Sequence, residues 1–283
     1  MKLAGCTILY LDYATLDETM RRFAKFGYRG VDIWADSPHL DPLFDRGDRQ
    51  DTKKLAGDLG LEIVALALNG GPLARRYNFA HAHSWVREET TDYYLKCIDL
   101  AAELGCPLIN LISGVMPFGV TKEQAWPWHI DCIGRVCEHA EQANVTVALH
   151  TAPPNVSRVL TYLDDAIQLR EDLNSPAAKI MIDTASQYVT EPNFADAIRK
   201  VADHLCYFHL CDTKPDGTPG HEPLGTGVID FQNIVSTLKE VGYNQWMTVQ
   251  LDAFVTPIDP DAWMISSYDH IKTVMQECGV WEG

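Results

Sequence analysis

Four polar residues close, or nearly close, apolar runs of the 283-residue sequence: His150 in "VALH", Asp183 in "IMID", His209 in "YFHLC" and Gln250 in "MTVQL". Two imidazoles, a carboxylate and an amide oxygen form a donor set suited to a divalent ion. Each residue alone is better read as a hydrogen-bonded polar group at the end of a strand. The four together favour a metal, provided the chain brings them to one point.

The elements that would do so can be read from the pattern. Short runs rich in Val, Ile, Leu, Ala and Tyr lie at 5–10, 30–35, 61–68, 107–112, 145–150, 178–183, 205–211 and 246–251. Stretches with apolar residues at helical spacing separate them. "LDETMRRFAKFG" stops at Gly27, "TDYYLKCIDLAAELG" at Gly105 and "AWPWHIDCIGRVCEHAEQAN" at Asn144, the last helix proper beginning near Pro127. "DTKKLAGDLG" is the helix between the second and third strands. Alternating strands and helices imply a parallel sheet with helices outside. Eight such units in about 250 residues imply an α/β fold of one closed (β/α)8 TIM barrel, here a single domain over residues 1–283.

The active face of such a barrel is built from the C-terminal ends of its strands. Asp32, Asn69, Ser113, His150, Asp183, His209, Asp212, Gln250 and Asp252 stand there. Alternation along a strand puts His150 on one face with Thr146 and Ala148, His209 with Tyr207 and Cys211, and Gln250 with Thr248 and Asp252. The longest non-periodic stretches, 36–50 and 69–80, follow strands and would shape a pocket over that face.

Composition narrows the classes. The chain is 46% hydrophobic and 22% charged, as globular proteins are, and carries a formal charge of −16. Such a charge repels nucleic acid and anionic membranes, so neither is expected as a partner. Eight cysteines form no C-x-x-C pair and sit mostly inside apolar segments, which fits reduced thiols and a cytoplasmic protein. No apolar stretch reaches about 18 residues, and the N-terminal run lacks the pattern of a signal peptide. No G-x-G-x-x-G follows the first strand, which speaks against a dinucleotide fold.

Four segments resemble the xylose isomerase-like TIM barrels, a family of sugar isomerases and epimerases, dehydratases and the endonuclease IV group. "YRGVDIW" resembles the family's second strand, and "CIDLAAELGCPLINLISG" its third helix and fourth strand. "IMIDTAS" resembles the strand that supplies a metal aspartate. "FHLCDTKPDGTPGHEPLGTGVIDF" resembles the most specific motif, a metal histidine followed by a loop and a glycine-rich turn. The resemblance implies that Asp183 and His209 are metal ligands. The family's other two ligands are glutamates that also move protons, and His150 and Gln250 stand in their places. A histidine common three residues after the aspartate is replaced by Ser186. Replacing two glutamates takes the formal charge of the ligand set from −3 to −1. That shifts preference from magnesium toward Mn, Zn, Fe or Co and leaves a stronger Lewis acid.

The remaining candidates divide by chemistry. His221 in the loop after strand seven, and Asp252 two residues past Gln250, are the candidate proton-transfer groups. Asp212 would orient a ligand or the loop; Glu222 reads as a solvated loop charge. Trp34, Tyr77, Phe79, Trp85 and Phe118 are aromatic residues near the loops, one or two of which could bound a sugar. Arg75 and Arg76 read as an exposed pair, and His81, His83 and His129 as surface or core residues on helices. The leading reading is a divalent-metal-dependent isomerase or epimerase of a polyhydroxylated carbonyl compound, acting by proton abstraction α to the carbonyl. A β-eliminating lyase or dehydratase on a keto-sugar or keto-glycoside is the alternative, because the two-glutamate shuttle is missing. A non-catalytic sugar-binding barrel is the reading from another class. The partner is a small carbohydrate, and self-association into a homo-oligomer is left open.

Overall fold

The computed structural model describes residues 1–44, 49–68, 76–251 and 259–282. The strands are β1 (Lys2–Cys6), β2 (Gly30–Ala35), β3 (Glu62–Leu68), β4 (Leu108–Ile112), β5 (Thr146–His150), β6 (Ala178–Asp183), β7 (Leu205–Leu210) and β8 (Trp246–Val249). They are parallel, pair in sequence order and close into a barrel. Closure is made at β1, where Ala4 pairs with Gly30 on one side and Thr248 on the other. Gly30 has to be glycine: a Cβ there would lie 2.7 Å from Val64 Cγ1 and 2.8 Å from the Trp246 ring.

The first strand lies earlier than the expected 5–10. Thr7–Tyr10 instead form a buried 3-10 turn. Both segments are apolar and buried, so periodicity alone does not separate them; pairing with β2 and β8 selects the earlier one.

The helices are α1 (Leu16–Phe26), α2 (Arg49–Leu59), α3 (Ser84–Leu104), α4 (Lys122–Ala143), α5 (Leu163–Leu173), α6 (Thr184–Thr190), α7 (Phe194–Val201), α8 (Phe231–Glu240) and α9 (Pro260–Glu277). Gly27, Gly105 and Asn144 end α1, α3 and α4 in the left-handed conformation, as their residue types suggest. Two helix starts differ from the sequence reading. α4 begins at Lys122, not near Pro127, because Thr121 and Gln124 form a reciprocal capping box that outweighs the proline. His81 and His83 precede α3 and are not helical.

The hydrophobic core has two layers. The larger lies between the barrel and its helices. The smaller fills the barrel itself with Ala4, Ala65, Ala148, Met181 and Tyr207 among others. Above Tyr207, toward the C-terminal ends of the strands, the interior turns polar. Two irregularities of register set which side chains point there. Val31 and Asp32 of β2 pair with Ile63 and Ala65, passing over Val64. Ile180 and Met181 of β6 pair with Leu205 and Tyr207, passing over Cys206.

Candidate metal centre and active site

Asp183 is both the last residue of β6 and the N-cap of α6. Its Oδ1 accepts the Ser186 N–H at 2.8 Å, and its own N–H donates to Gln187 Oε1 at 2.7 Å. These bonds hold the carboxylate at the helix N-terminus, where negative charge is favoured. They leave Oδ2 buried with no partner.

His209 comes from the next strand and is fully buried. Its Nε2 donates to Asp32 Oδ2 at 2.9 Å. The Tyr207 hydroxyl donates to the same oxygen at 2.7 Å. This assigns the His209 proton to Nε2 and leaves Nδ1 as a lone pair. Nδ1 lies 3.8 Å from Asp183 Oδ2, too far for a hydrogen bond, and neither atom has another partner. Two atoms bound to one ion at about 2.0–2.2 Å stand roughly 3–3.5 Å apart. The separation is therefore close to that of two ligands of a common cation.

His150 ends β5, is 7% exposed, and neither of its ring nitrogens has a partner. Burial is the main cause that lowers its pKa to about 4, so the ring is neutral at pH 7. Its ring stands perpendicular to that of His209, with centroids 6.2 Å apart. Gln250, just past β8, keeps its N–H on Leu210 O at 3.0 Å, and its buried Oε1 is unpartnered. Burial pushes the Asp183 carboxyl up, but the imidazoles of His221, His150 and His209 and the Ser186 N–H outweigh it. The net pKa lies below the ordinary carboxylate value.

Four buried atoms able to bind a cation thus lack hydrogen bonds: a nitrogen of His150, Asp183 Oδ2, His209 Nδ1 and Gln250 Oε1. Buried polar atoms left this way are rare and call for an explanation, an ion among them. Of the four, Asp183 and His209 are the pair brought close; His150, Asp183 and His209 do not all lie within 4.8 Å of one another. The one such trio of His, Cys or acidic groups among the described residues is a different set. Ligand atoms of Asp183, Cys211 and His221 lie within 4.8 Å of one another. Cys211 is a weaker donor of the two sets. Burial, with the charge of Asp183, holds its thiol well above its usual value, and Sγ lies 3.5 Å from Thr184 Oγ1.

A cavity of about 460 Å³ opens beside these residues; His150, Asp183 and Gln250 line it, as do Trp34, Ser186 and His221. Asp212 and Glu222 do not. The Asp212 carboxylate accepts four backbone N–H groups: Thr213 (2.8 Å) and Ile229 (3.2 Å) on Oδ1, Gly225 (3.0 Å) and Gly227 (2.9 Å) on Oδ2. It thereby shapes the loop that carries His221. A Cβ at Gly227 would come within 2.3 Å of Asp212 Oδ1, so glycine is required there. Glu222 pairs with Asp212 through backbone bonds of 2.9 and 3.0 Å. Asp252, Asn69 and Arg75 lie outside the described residues.

The other aromatic candidates serve packing or lie at the surface. Tyr77 stacks on Tyr93, Phe79 is buried against Tyr94, and Trp85 and Phe118 are exposed away from the cavity. Arg76 pairs with Glu89 at the surface, and His129 donates from Nδ1 to the Ala125 carbonyl inside α4. Asp32 has no role in the sequence reading beyond its place at a strand end. The available signal was a carboxylate on an inward face, which is what a ligating histidine needs behind it. Asn110, which also lines the cavity, gave no signal, being one amide within an apolar run.

Comparison with known proteins agrees with this architecture. The model of the xylose isomerase-like TIM barrel matches residues 20–274. The L-ribulose-5-phosphate 3-epimerase UlaE of Shigella boydii is 23% identical over 270 residues, 94% of this chain and 92% of that protein. A solved L-ribulose 3-epimerase superposes with a TM-score of 0.83 at 19% identity, covering 98% of this chain and 95% of its own. The IOLI protein, solved with a zinc atom, superposes with a TM-score of 0.81 at 17% identity over 100% of both chains. With its closed eight-stranded barrel and a family match spanning most of its length, the chain belongs to the xylose isomerase-like TIM barrel family.

Proposed function

We propose that this protein is a divalent-metal-dependent sugar isomerase or epimerase, removing a proton α to the carbonyl of a polyhydroxylated substrate. The observation that carries the reading is the set of four unpartnered donor atoms on His150, Asp183, His209 and Gln250, beside one cavity. Two nitrogens and two oxygens suit Zn, Mn, Fe or Co better than Mg. The zinc atom of the similar IOLI protein supports zinc in particular. The names of the relatives, sugar 3-epimerases, support the substrate class. When bound, such an ion supplies a Lewis acid that makes the proton α to a carbonyl easier to remove.

The chain's own residues define the rest. Asp32 holds the His209 proton on Nε2, which keeps Nδ1 free to coordinate. The N-terminus of α6 and Ser186 hold Asp183 in its rotamer. His150 and Asp183 are committed as donors, and among the described residues that leaves His221 as the titratable side chain lining the cavity. His221 is assigned the proton transfer. Its loop is tied to Asp212, so the imidazole reaches the cavity from a braced element. Eight unpaired cysteines fit a reducing compartment such as the cytoplasm.

A single candidate base among the described residues gives the lyase reading its own support. Epimerisation needs a proton taken from one face and another delivered to the opposite face. β-Elimination needs one proton removed and a substituent expelled, which a single imidazole can serve. Incubation of the zinc- or manganese-loaded protein in D₂O with fructose, tagatose and a 3-keto-glycoside, followed by NMR, tests both. Deuterium uptake α to the carbonyl, lost in His221→Ala, is expected, with little epimer formed from the free ketohexoses. Accumulation of the 3-epimer of fructose would overturn the one-base account. Tight binding of sugars without exchange in any of them would favour a non-catalytic sugar-binding barrel.

A further inference from the structure

The cavity has two chemically different walls. The donor residues His150, Asp183 and Gln250, with His221 and Ser186, form a polar end. The opposite character lies along the β5–α5 connection and α6, where Ala152, Pro153, Val156, Ala185 and Val189 line it, interrupted by the amide of Asn155. Val189 is 45% exposed and carries this wall to the surface. No lysine or arginine stands among the described lining residues. Of the cations nearest in sequence, Arg158 is exposed and donates to the Pro154 carbonyl, and Lys214 is exposed with its stem beside Gly220.

A sugar phosphate would bring a dianion into this cavity. Its recognition calls for arginine, lysine or a convergent set of N–H donors. The wall offers carbon instead, and the net charge of −16 opposes the approach of an anion. The volume, about 460 Å³, falls in the ordinary range of small-molecule sites. We infer that this wall receives an uncharged apolar substituent, so that the substrate is a neutral keto-sugar joined to an apolar group, with Val156 and Val189 determining the preference. The inference rests on the proposed function for its sugar end. It differs from a sugar 5-phosphate, the substrate class in the name of the similar UlaE protein.

The test compares methyl and phenyl 3-keto-β-D-glucosides, ribulose and ribulose 5-phosphate on the zinc-loaded protein. Calorimetry reads binding, and deuterium uptake in D₂O reads chemistry. The phenyl glycoside is expected to bind at least about tenfold more tightly than the methyl glycoside, equivalent to about 1.4 kcal/mol. Ribulose 5-phosphate is expected to bind no better than ribulose. Val156→Asn and Val189→Asn, made separately and checked by thermal melting, should each reduce the phenyl-to-methyl ratio at least threefold. Equal binding of the two glycosides, or tighter binding of the phosphate than of ribulose, overturns the inference even if deuterium exchange proceeds. Phenyl preference without exchange in any substrate leaves the apolar wall standing and removes the proposed reaction. Failure of all four to bind removes both.

Discussion

Asp212→Asn isolates the tie that holds the His221 loop. The substitution keeps the shape of the side chain and replaces one carboxylate oxygen by an amide NH₂. Whichever way the amide turns, two of the four backbone N–H groups then face a donor instead of an acceptor. Hydrogen bonds to a charged acceptor contribute about 1.5–3 kcal/mol each, so two of them amount to roughly 3–6 kcal/mol. Gly225 and Gly227 are near the surface, and water recovers part of this. The expected net cost of opening the loop is about 2–4 kcal/mol, a rise of roughly 30- to 700-fold in the open population. Hydrogen exchange measures that population directly. The amides of Gly225, Gly227 and Ile229 should exchange faster by that factor, while amides of β4 and α3, across the barrel, stay within threefold of wild type. Unchanged protection at Gly225 and Gly227 would refute the claim that Asp212 holds this loop.

Three further outcomes are expected. Asp183→Ala and His209→Ala should each lose bound metal on elemental analysis, and full stoichiometry in both would remove the site from consideration. Asp32→Asn should keep the fold and weaken metal binding roughly 10- to 100-fold, measured by competition with a chelator, because a neutral amide oxygen accepts the His209 Nε2 proton more weakly than the carboxylate and leaves Nδ1 less basic. Burial lowers the pKa of His129 from 6.5 to about 4, so the unfolded chain binds the extra proton first as pH falls. Stability should be complete above about pH 6.5 and drop by roughly 3 kcal/mol as pH falls through 4. Urea melts across that range should show the loss, and His129→Leu should remove the His129 share of it, the similarly buried His150 keeping its own.

The repeating units were legible because their punctuation is local. Gly27, Gly105 and Asn144 announce helix ends through backbone conformations that few residues tolerate. The start of α4 was misplaced because Pro127 is a conspicuous residue, whereas the Thr121–Gln124 box is a cooperative pair. The first strand was misplaced because an apolar buried turn and an apolar buried strand have the same composition. His150, Asp183, His209 and Gln250 could be listed from strand ends alone. Asp32 could not be tied to them, since its contact with His209 spans 177 positions and depends on the curvature of the closed barrel. Cys211 was visible as a strand neighbour of His209, but its closeness to Asp183 and His221 depends on how the loop folds back.

The skipped pairing at Cys206 has a genetic consequence. Inward and outward residues alternate along β7, and the extra residue sets the phase between its lower part and the segment carrying Tyr207 and His209. Loss of a single codon there would force one side of the strand to slip by a residue. If the upper side slipped, Phe208 would face the metal donors and His209 would face the helices, with every other site residue unaltered. The same holds in reverse: one inserted codon in a homologous gene can restore or displace the histidine. Relatives of this chain can therefore hold the same ligand in space while an ungapped alignment puts it one column away, and a histidine missing from its column is not evidence of a missing ligand.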